Sequence, residues 1–288
     1  MRYARPDTLD KALALLADGP WRVLAGGTDF YPAQGARPIL DDVLDIGAIA
    51  SLRGITSTPD HIVIGARTSW TDVVRTDLPP AFDMLRQAAR EVGAIQIQNA
   101  GTVAGNLCNA SPAADGVPPL LAMDAEIELS SASGIRHLPL ADFIVGNRRT
   151  ARRPNELLTA IRVPRRSTLG GSRFVKLGSR RYLVISVAMA AARIVLNGDH
   201  ITHAAVAVGA CSEVAMRLDA LETALRGVAV GEMDPVLADP SLYDCLSPID
   251  DVRGSAAYRR RAVVEIVSRA AHGAVEAAGM KAGAEEAA

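Results

Sequence analysis

The 288 residues contain only three cysteines, Cys108, Cys211 and Cys245, far apart and with no CxxC pair. Neither a disulfide framework nor a thiolate metal site is supported by that pattern. Charge of one sign is lacking too. A formal net charge of −1 gives no global attraction for nucleic acid or for anionic membranes. No run approaches the roughly 20 apolar residues that span a bilayer. The first 20 residues lack the apolar run of a signal peptide and are interrupted by Asp7, Asp10 and Asp18. The chain therefore reads as a cytoplasmic protein with no membrane insertion and no nucleic-acid partner. Nucleotide signatures are missing as well: there is no GxGxxG after a strand and no Gly-Lys-Ser/Thr loop, so a Rossmann turn is excluded. HExxH is absent, and the HxxH of His200 and His203 reads as surface polarity. The densest basic stretch, Arg148, Arg149, Arg152, Arg153, Arg162, Arg165 and Arg166, has no interleaved aromatics and is broken by Asn155 and Glu156. It reads as a solvated or subunit-facing surface.

What is present is a chain with hydrophobic residues at 49% and charged residues at 22%, enough for a sizeable core and for two domains. A helix capped by Asp7 carries Leu9, Ala12, Leu13 and Leu16 on one face and stops at Gly19-Pro20. Strands are expected at 21–24, 43–46, 52–56 and 61–64, then a short helix capped by Ser69 and a longer one over 81–92 that ends at Gly93. The alternation Ile95-Gln96-Ile97-Gln98 predicts a strand. Further strands are expected near 126–129, 157–163 and 174–177. Two apolar runs, 186–196 and 201–210, flank Asn197-Gly198, a two-residue hairpin signal. A helix capped by Ser212 carries Val214, Leu218, Leu221 and Leu225, and a last helix from Ser255 carries Tyr258, Ala262, Ile266 and Ala270. The Gly/Ala-rich tail after Gly279 reads as frayed. Irregular mixing of strands and helices predicts an α+β fold.

Two small-residue loops each leave an expected strand. In Ala25-Gly26-Gly27-Thr28-Asp29-Phe30, paired glycines permit positive φ and close approach of a ligand to the backbone. Successive N–H groups in such a turn form an anion-binding nest, and a helix starting near Asp29 would aim its positive end at the same place. Alone, this loop could equally be an ordinary strand-to-helix turn. The second loop, Gly101-Thr102-Val103-Ala104-Gly105-Asn106, repeats the logic with a hydroxyl and an amide. Asn109, Ser111 and Asp115 follow in a segment stiffened by Pro112, Pro118 and Pro119. Two nests facing each other would suit a pyrophosphate.

These residues resemble the medium, FAD-binding subunit of the xanthine dehydrogenase and carbon monoxide dehydrogenase (molybdenum hydroxylase) family. The resemblance is carried by VLAGGTDF, QIQNAGTVAGNLCNASPAAD, ELLTAIRVP and FVKLGSRR, in the family's order across nearly the whole chain. It implies a vanillyl-alcohol-oxidase (PCMH)-type FAD-binding domain over 1–175, in subdomains of about 1–57 and 58–175. A smaller C-terminal α+β domain with an antiparallel sheet would follow over 176–288. It further implies that Ala25, Gly26, Gly27, Thr28, Asp29 and Phe30 wrap the FAD pyrophosphate. Thr102, Ala104, Gly105 and Asn106 would close on it from the other side, and Asp115 would bond the ribityl chain or a nearby hydroxyl. Leu158 and Val92 would contact the cofactor, and Lys176 would sit at the polar edge of the flavin ring. Many relatives have two glycines before the asparagine, where this chain has Ala104-Gly105, so Ala104 should keep negative φ and face away from the phosphate. Some relatives also carry an inserted cysteine-rich segment that three scattered cysteines cannot supply.

By the same resemblance, the molybdopterin cofactor and [2Fe–2S] clusters belong to partners. These are a large molybdenum subunit and a small iron–sulfur subunit, in a dimer of heterotrimers. This chain would pass electrons from the clusters to NAD, oxygen, a quinone or another acceptor, through a flavin face near 182–185. None of its residues need be a catalytic acid or base. Two other readings stay open. A free-standing flavin reductase of the same fold would need a substrate domain with a proton-donating serine or cysteine. A scaffold subunit would have lost the flavin.

Overall fold

The computed structural model describes residues 1–181 and 183–285. Its framework is three hydrophobic cores in chain order, joined by strands whose two faces serve different cores.

The first core lies under the helix Leu9–Asp18, which buries Ala12, Leu13 and Leu16 at the expected spacing. Thr8, not Asp7, caps it by accepting from Lys11 N, because Asp7 is drawn into an ion pair with Lys11 Nζ at 2.8 Å. The helix packs beside a parallel sheet in which Val43–Asp45 lies between Tyr3–Ala4 and Arg22–Leu24.

The central core is built on an antiparallel sheet in the order Ile55–Ser57, His61–Gly65, Leu157–Pro164, Glu126–Ser131, Gly134–Pro139. Its middle strand alternates in the strand period of two, so Leu157 enters the first core and Leu158 the central one. That one strand fixes the two units to each other.

The C-terminal sheet, Gly171–Leu177, Ala188–Asn197, His200–Gly209 and Met216–Arg217, is antiparallel throughout. On its second strand Ala188, Ala190, Ala192 and Ile194 join the C-terminal core, while Met189 and Ala191 belong to the central one. Small residues let the helix Ala256–Glu285 lie close to the sheet: a Cβ on Gly171 would sit 2.3 Å from the Ala274 carbonyl oxygen. Because this helix is continuous to Glu285, the tail expected to fray after Gly279 is helical there, and residues 286–288 lie outside the described residues.

Four local expectations need correction. Residues 95–98 lie in a helix, Ile95–Ala100, because the segment is exposed, has no sheet edge beside it, and closes Gln98 N to Ala94 O at 3.0 Å. Ser212 caps nothing; its hydroxyl donates to Cys211 O at 2.7 Å and accepts from Ser247 N at 3.0 Å, and the helix Asp219–Leu225 starts only after the strand Met216–Arg217. The hairpin turn falls one residue later than expected, on Gly198-Asp199, since Asn197 pairs with His200. His203 is not surface polarity: it is half-buried and bonds Arg193 Nη2 through Nε2 at 2.9 Å.

Candidate functional site

The first turn leaves the strand Arg22–Leu24. Gly27 takes φ +75°, a conformation in which a side chain is strained. The helix Phe30–Gln34 starts immediately after, with Tyr31 N bonded to Gly27 O at 3.2 Å. Among the described residues the backbone N–H groups of Gly27, Thr28 and Asp29 have no acceptor in the protein, so three donors from successive residues remain unpaired.

The second turn is a helix N-terminus and not a loop. Thr102 caps Val103–Asn109 by accepting from Gly105 N at 3.0 Å. Its hydroxyl oxygen is thus engaged by its own helix. Ala104 has helical backbone, which agrees with the negative φ expected of it, and it lines the cleft. Asn106 spends its side-chain oxygen on Gly116 N at 3.3 Å, which anchors the stretch leading from Asp115.

The two turns meet. A Cβ on Gly26 would lie 1.9 Å from the Ala100 carbonyl oxygen, and one on Gly101 would lie 3.2 Å from Thr28 Oγ1. Glycine at 26 is therefore demanded by backbone-to-backbone contact between the turns. Together they form one wall of a cleft of about 1260 Å³. That exceeds the roughly 300–1,000 Å³ of most small-molecule sites and is ample for an extended dinucleotide. Ala25, Gly26, Gly27, Thr28, Asp29, Phe30, Val92, Thr102, Ala104, Gly105, Asn106, Asp115, Leu158 and Lys176 all line it.

At one place along the cleft Lys176, the residue expected at the polar edge of the flavin ring, is held in a buried charge pair. Lys176 Nζ donates to Asp115 Oδ2 at 2.6 Å and to Glu91 O at 3.3 Å, while Ser186 Oγ donates to Asp115 Oδ1 at 2.6 Å. Both Asp115 oxygens are thus engaged inside the protein before any ligand is considered. Burial pushes the Asp115 carboxyl up, against the opposing pull of Lys176 and Ser186.

Several lining residues escaped the sequence reading. Trp21 and Trp70 carry no motif. Cys108 opens onto the cleft, yet the surrounding protein pushes its thiol up to about 11 by desolvation, with Arg152 pulling it back. Arg148 and Arg152 were visible only as part of a basic stretch. By contrast, the stretch expected at the flavin face does line the cleft through Leu183, Val184 and Ile185, of which Leu183 and Ile185 are exposed; Tyr182 lies outside the described residues.

Residues 1–166 match the family described as "FAD binding domain in molybdopterin dehydrogenase". The chain belongs to that family. Residues 173–274 match a second family, described as "CO dehydrogenase flavoprotein C-terminal domain". The glyceraldehyde dehydrogenase medium chain of Sulfolobus acidocaldarius is 32% identical over 277 residues, covering 93% of this chain and 96% of that one. The carbon monoxide dehydrogenase medium chain of Hydrogenophaga pseudoflava is 28% identical, covering 94% and 96%. Among solved structures, reconstituted CO dehydrogenase from Oligotropha carboxidovorans superposes with a TM-score of 0.90 at 28% identity, covering 96% of this chain and 98% of that one. The family likeness extends over both units, and the α+β fold class read from the sequence is that of these relatives. No helix among the described residues is long and apolar enough to cross a membrane.

Proposed function

We propose that this chain carries FAD in a cytoplasmic, three-subunit molybdenum hydroxylase, accepts electrons from the [2Fe–2S] clusters of a small partner and hands them to an external acceptor. A large partner would hold the molybdenum cofactor, and the assembly would be a dimer of heterotrimers. One observation carries the reading: the two turns converge, at the Gly26–Ala100 contact, on one wall of a cleft large enough for a dinucleotide.

The residues fit the cofactor. The free N–H groups of Gly27, Thr28 and Asp29, with the helix N-terminus at Thr102 and Ala104, would hold the diphosphate. Leu158 and Val92 would give apolar contact, and Asp115 with Lys176 would fix the polar surroundings of the ring. When bound, FAD supplies the capacity to take electrons singly and release them singly or in pairs. The protein's part is to bind, orient and set the local charge. The Lys176–Asp115 pair presents a locally balanced charge there, held by Ser186. We also propose a division at about 175/176 between the cofactor-binding unit and the C-terminal unit, with the former split near 57/58.

The test is flavin retention by the purified full chain. Thr102→Ala with Gly105→Val removes the cap and fills the turn, and should release FAD while the circular dichroism stays native. Unchanged occupancy would remove the second turn from the site. A wild-type chain that takes up no FAD would overturn the reading. Co-expression with the neighbouring subunits, followed by iron and molybdenum analysis of the purified complex, tests the assembly.

A further inference from the structure

We propose that Arg259 is a positioning residue for the cleft, holding Ser186 and the segment 112–115 so that Asp115 stays bonded to both Ser186 and Lys176. The inference rests on the flavin reading and deepens it, since it names a residue of the C-terminal unit that governs how the cofactor is gripped.

Arg259 lies near the start of the helix Ala256–Glu285, and its side chain is only 3% exposed, too buried to touch a ligand. Every nitrogen of its guanidinium is engaged. Nη1 donates to the carbonyls of Val187 and, at 2.9 Å, of Ala210. Nη2 donates to Asp251 Oδ1 at 2.6 Å, and Nε to Gly254 O at 3.5 Å. Asp251 is itself fixed by a closed turn: Oδ1 accepts from Arg253 N at 2.8 Å and Gly254 N at 3.3 Å, and Oδ2 from Arg253 Nη1 at 3.0 Å. One arm of the guanidinium is thus braced by a fixed carboxylate, and the other is spent on two carbonyls.

Those carbonyls mark where the C-terminal sheet hands over to the cleft. Val187 precedes the strand Ala188–Asn197, and Ala210 follows the strand His200–Gly209. Val187 N donates to Leu177 O at 2.7 Å, beside Lys176, and the neighbouring Ser186 donates to Asp115 Oδ1 at 2.6 Å. Ala210 N donates at 2.9 Å to the carbonyl of Pro112, in the segment that ends on Asp115. Two chain paths therefore lead from one guanidinium to one carboxylate. Ala210 holds φ +62°, a conformation that alanine keeps only where its surroundings fix it. Here its N–H is tied to the cofactor-binding unit and its carbonyl to Arg259.

An arginine that closes the open end of a β-ladder needs no wider role, because buried carbonyls must be satisfied. That accounts for the bonds. It does not account for both carbonyls belonging to segments that meet at Asp115, nor for the strained residue that carries one of them between units. Ser186 and Asp115 are 2% and 7% exposed, so a carboxylate that loses the Ser186 hydroxyl has no water to replace it. Asp115 and Lys176 line the cleft, and a displaced Ser186 is felt there although Arg259 is not.

Hydrogen exchange, read by mass spectrometry on the full chain without flavin, tests the placement directly. Arg259→Met should speed exchange about tenfold or more in peptides covering 111–116 and 184–187, on both sides of the unit boundary, while 157–164 stays protected. Asp251→Asn, which loosens the brace and keeps the arginine, should do the same to a smaller extent, and Arg259→Lys should recover part of the protection. FAD titration into the same proteins reads the consequence. Ser186→Ala and Arg259→Met should each weaken FAD about tenfold, and the double variant should match the weaker single to within about threefold, because both act on one bond. Exchange that rises only within the C-terminal sheet, or evenly throughout the chain, would reduce Arg259 to closure of the sheet and overturn the proposal. Should Arg259→Met fail to fold, Asp251→Asn decides by the same peptides. Fully additive losses of FAD affinity would also overturn it. Wild type that takes up no FAD sinks the flavin reading, while the exchange pattern still decides whether Arg259 holds Ser186 and Asp115.

Discussion

Lys176 and Asp115 form an ion pair of 2.6 Å whose two side chains are only 7% and 9% exposed, within the wall of the cleft. Two charges so far from water are tolerated because each satisfies the other, with Ser186 and the Glu91 carbonyl taking the remaining bonds.

Removing one partner should therefore be costly. Lys176→Met leaves a buried carboxylate and should lower unfolding free energy by about 3–5 kcal/mol at neutral pH. The sign of its pH dependence follows from the raised Asp115 pKa. A carboxyl raised in the folded state contributes stability that is fully present below its ordinary value of 3.8 and is lost as pH rises through the folded value. Lys176→Met raises that folded value further, so its deficit should shrink at pH 5 and grow at pH 8, read by urea unfolding at both. A deficit that does not vary with pH would mean that Asp115 is already satisfied by other donors.

Asp124 ties the two units together. It accepts from Ser167 Oγ at 2.7 Å and Arg217 Nη1 at 2.8 Å, and it faces Arg193 at 3.6 Å. Burial acts to raise its pKa, but Ser167, Arg217 and Arg193 together hold it below the usual carboxylate value. A depressed pKa gives stability present above the ordinary value and lost as pH falls through the folded one. Asp124→Asn should cost about 2 kcal/mol near pH 7, less than a fully buried pair because a third of the side chain meets solvent. The gap to wild type should begin to close as pH drops below about 4 and vanish only below the depressed value at which the folded wild-type carboxyl protonates. Thermal melts from pH 3 to 7 measure it.

Much of this was legible in the sequence because backbone demands leave marks that a single chain carries. Gly26-Gly27 and the Ser69 cap announced themselves, and Ser69 forms the full reciprocal cap with Asp72. The strand 157–163 was equally plain, since a central strand buried on both faces reads as an apolar run. Helix 95–100 was misread because alternation in a short exposed segment carries no information about burial. The pairing of Lys176 with Asp115 could not be read: 61 positions separate them, and only the fold brings strand Gly171–Leu177 against the segment after Asn106. Which arginines of the basic stretch reach the cleft, Arg148 and Arg152, was hidden for the same reason, because it depends on how the strands Ile144–Gly146 and Arg149–Thr150 dock on the helix Val103–Asn109.

Gly26→Ala should disable the site without any change in charge. The added methyl would fall 1.9 Å from the Ala100 carbonyl oxygen, a backbone atom that cannot rotate away, so the turns must separate. The expected cost is about 1–3 kcal/mol, typical of overpacking, together with loss of bound FAD. Gly134→Ala is a suitable control: its φ of +134° is also unfavourable for alanine, but nothing lies within 4 Å. It should lose stability and keep its flavin. Equal flavin loss in both variants would show that stability alone governs retention.

The only two tryptophans, Trp21 and Trp70, both line the cleft, from different units. Trp21 belongs to the first core and has Arg2 stacked 4.6 Å from its ring centre, whereas Trp70 is in the central core beside Gly116. A flavin bound between them would accept their excitation energy. Adding FAD to the apo chain should therefore quench tryptophan emission in a saturable titration with one equivalent at the end point. Trp21→Phe and Trp70→Phe should each retain a quenched signal from the remaining ring, because the cleft lies between both units. Quenching that vanishes with one of the two would confine the ligand to a single unit, and emission indifferent to FAD would place the cofactor elsewhere or nowhere on this chain.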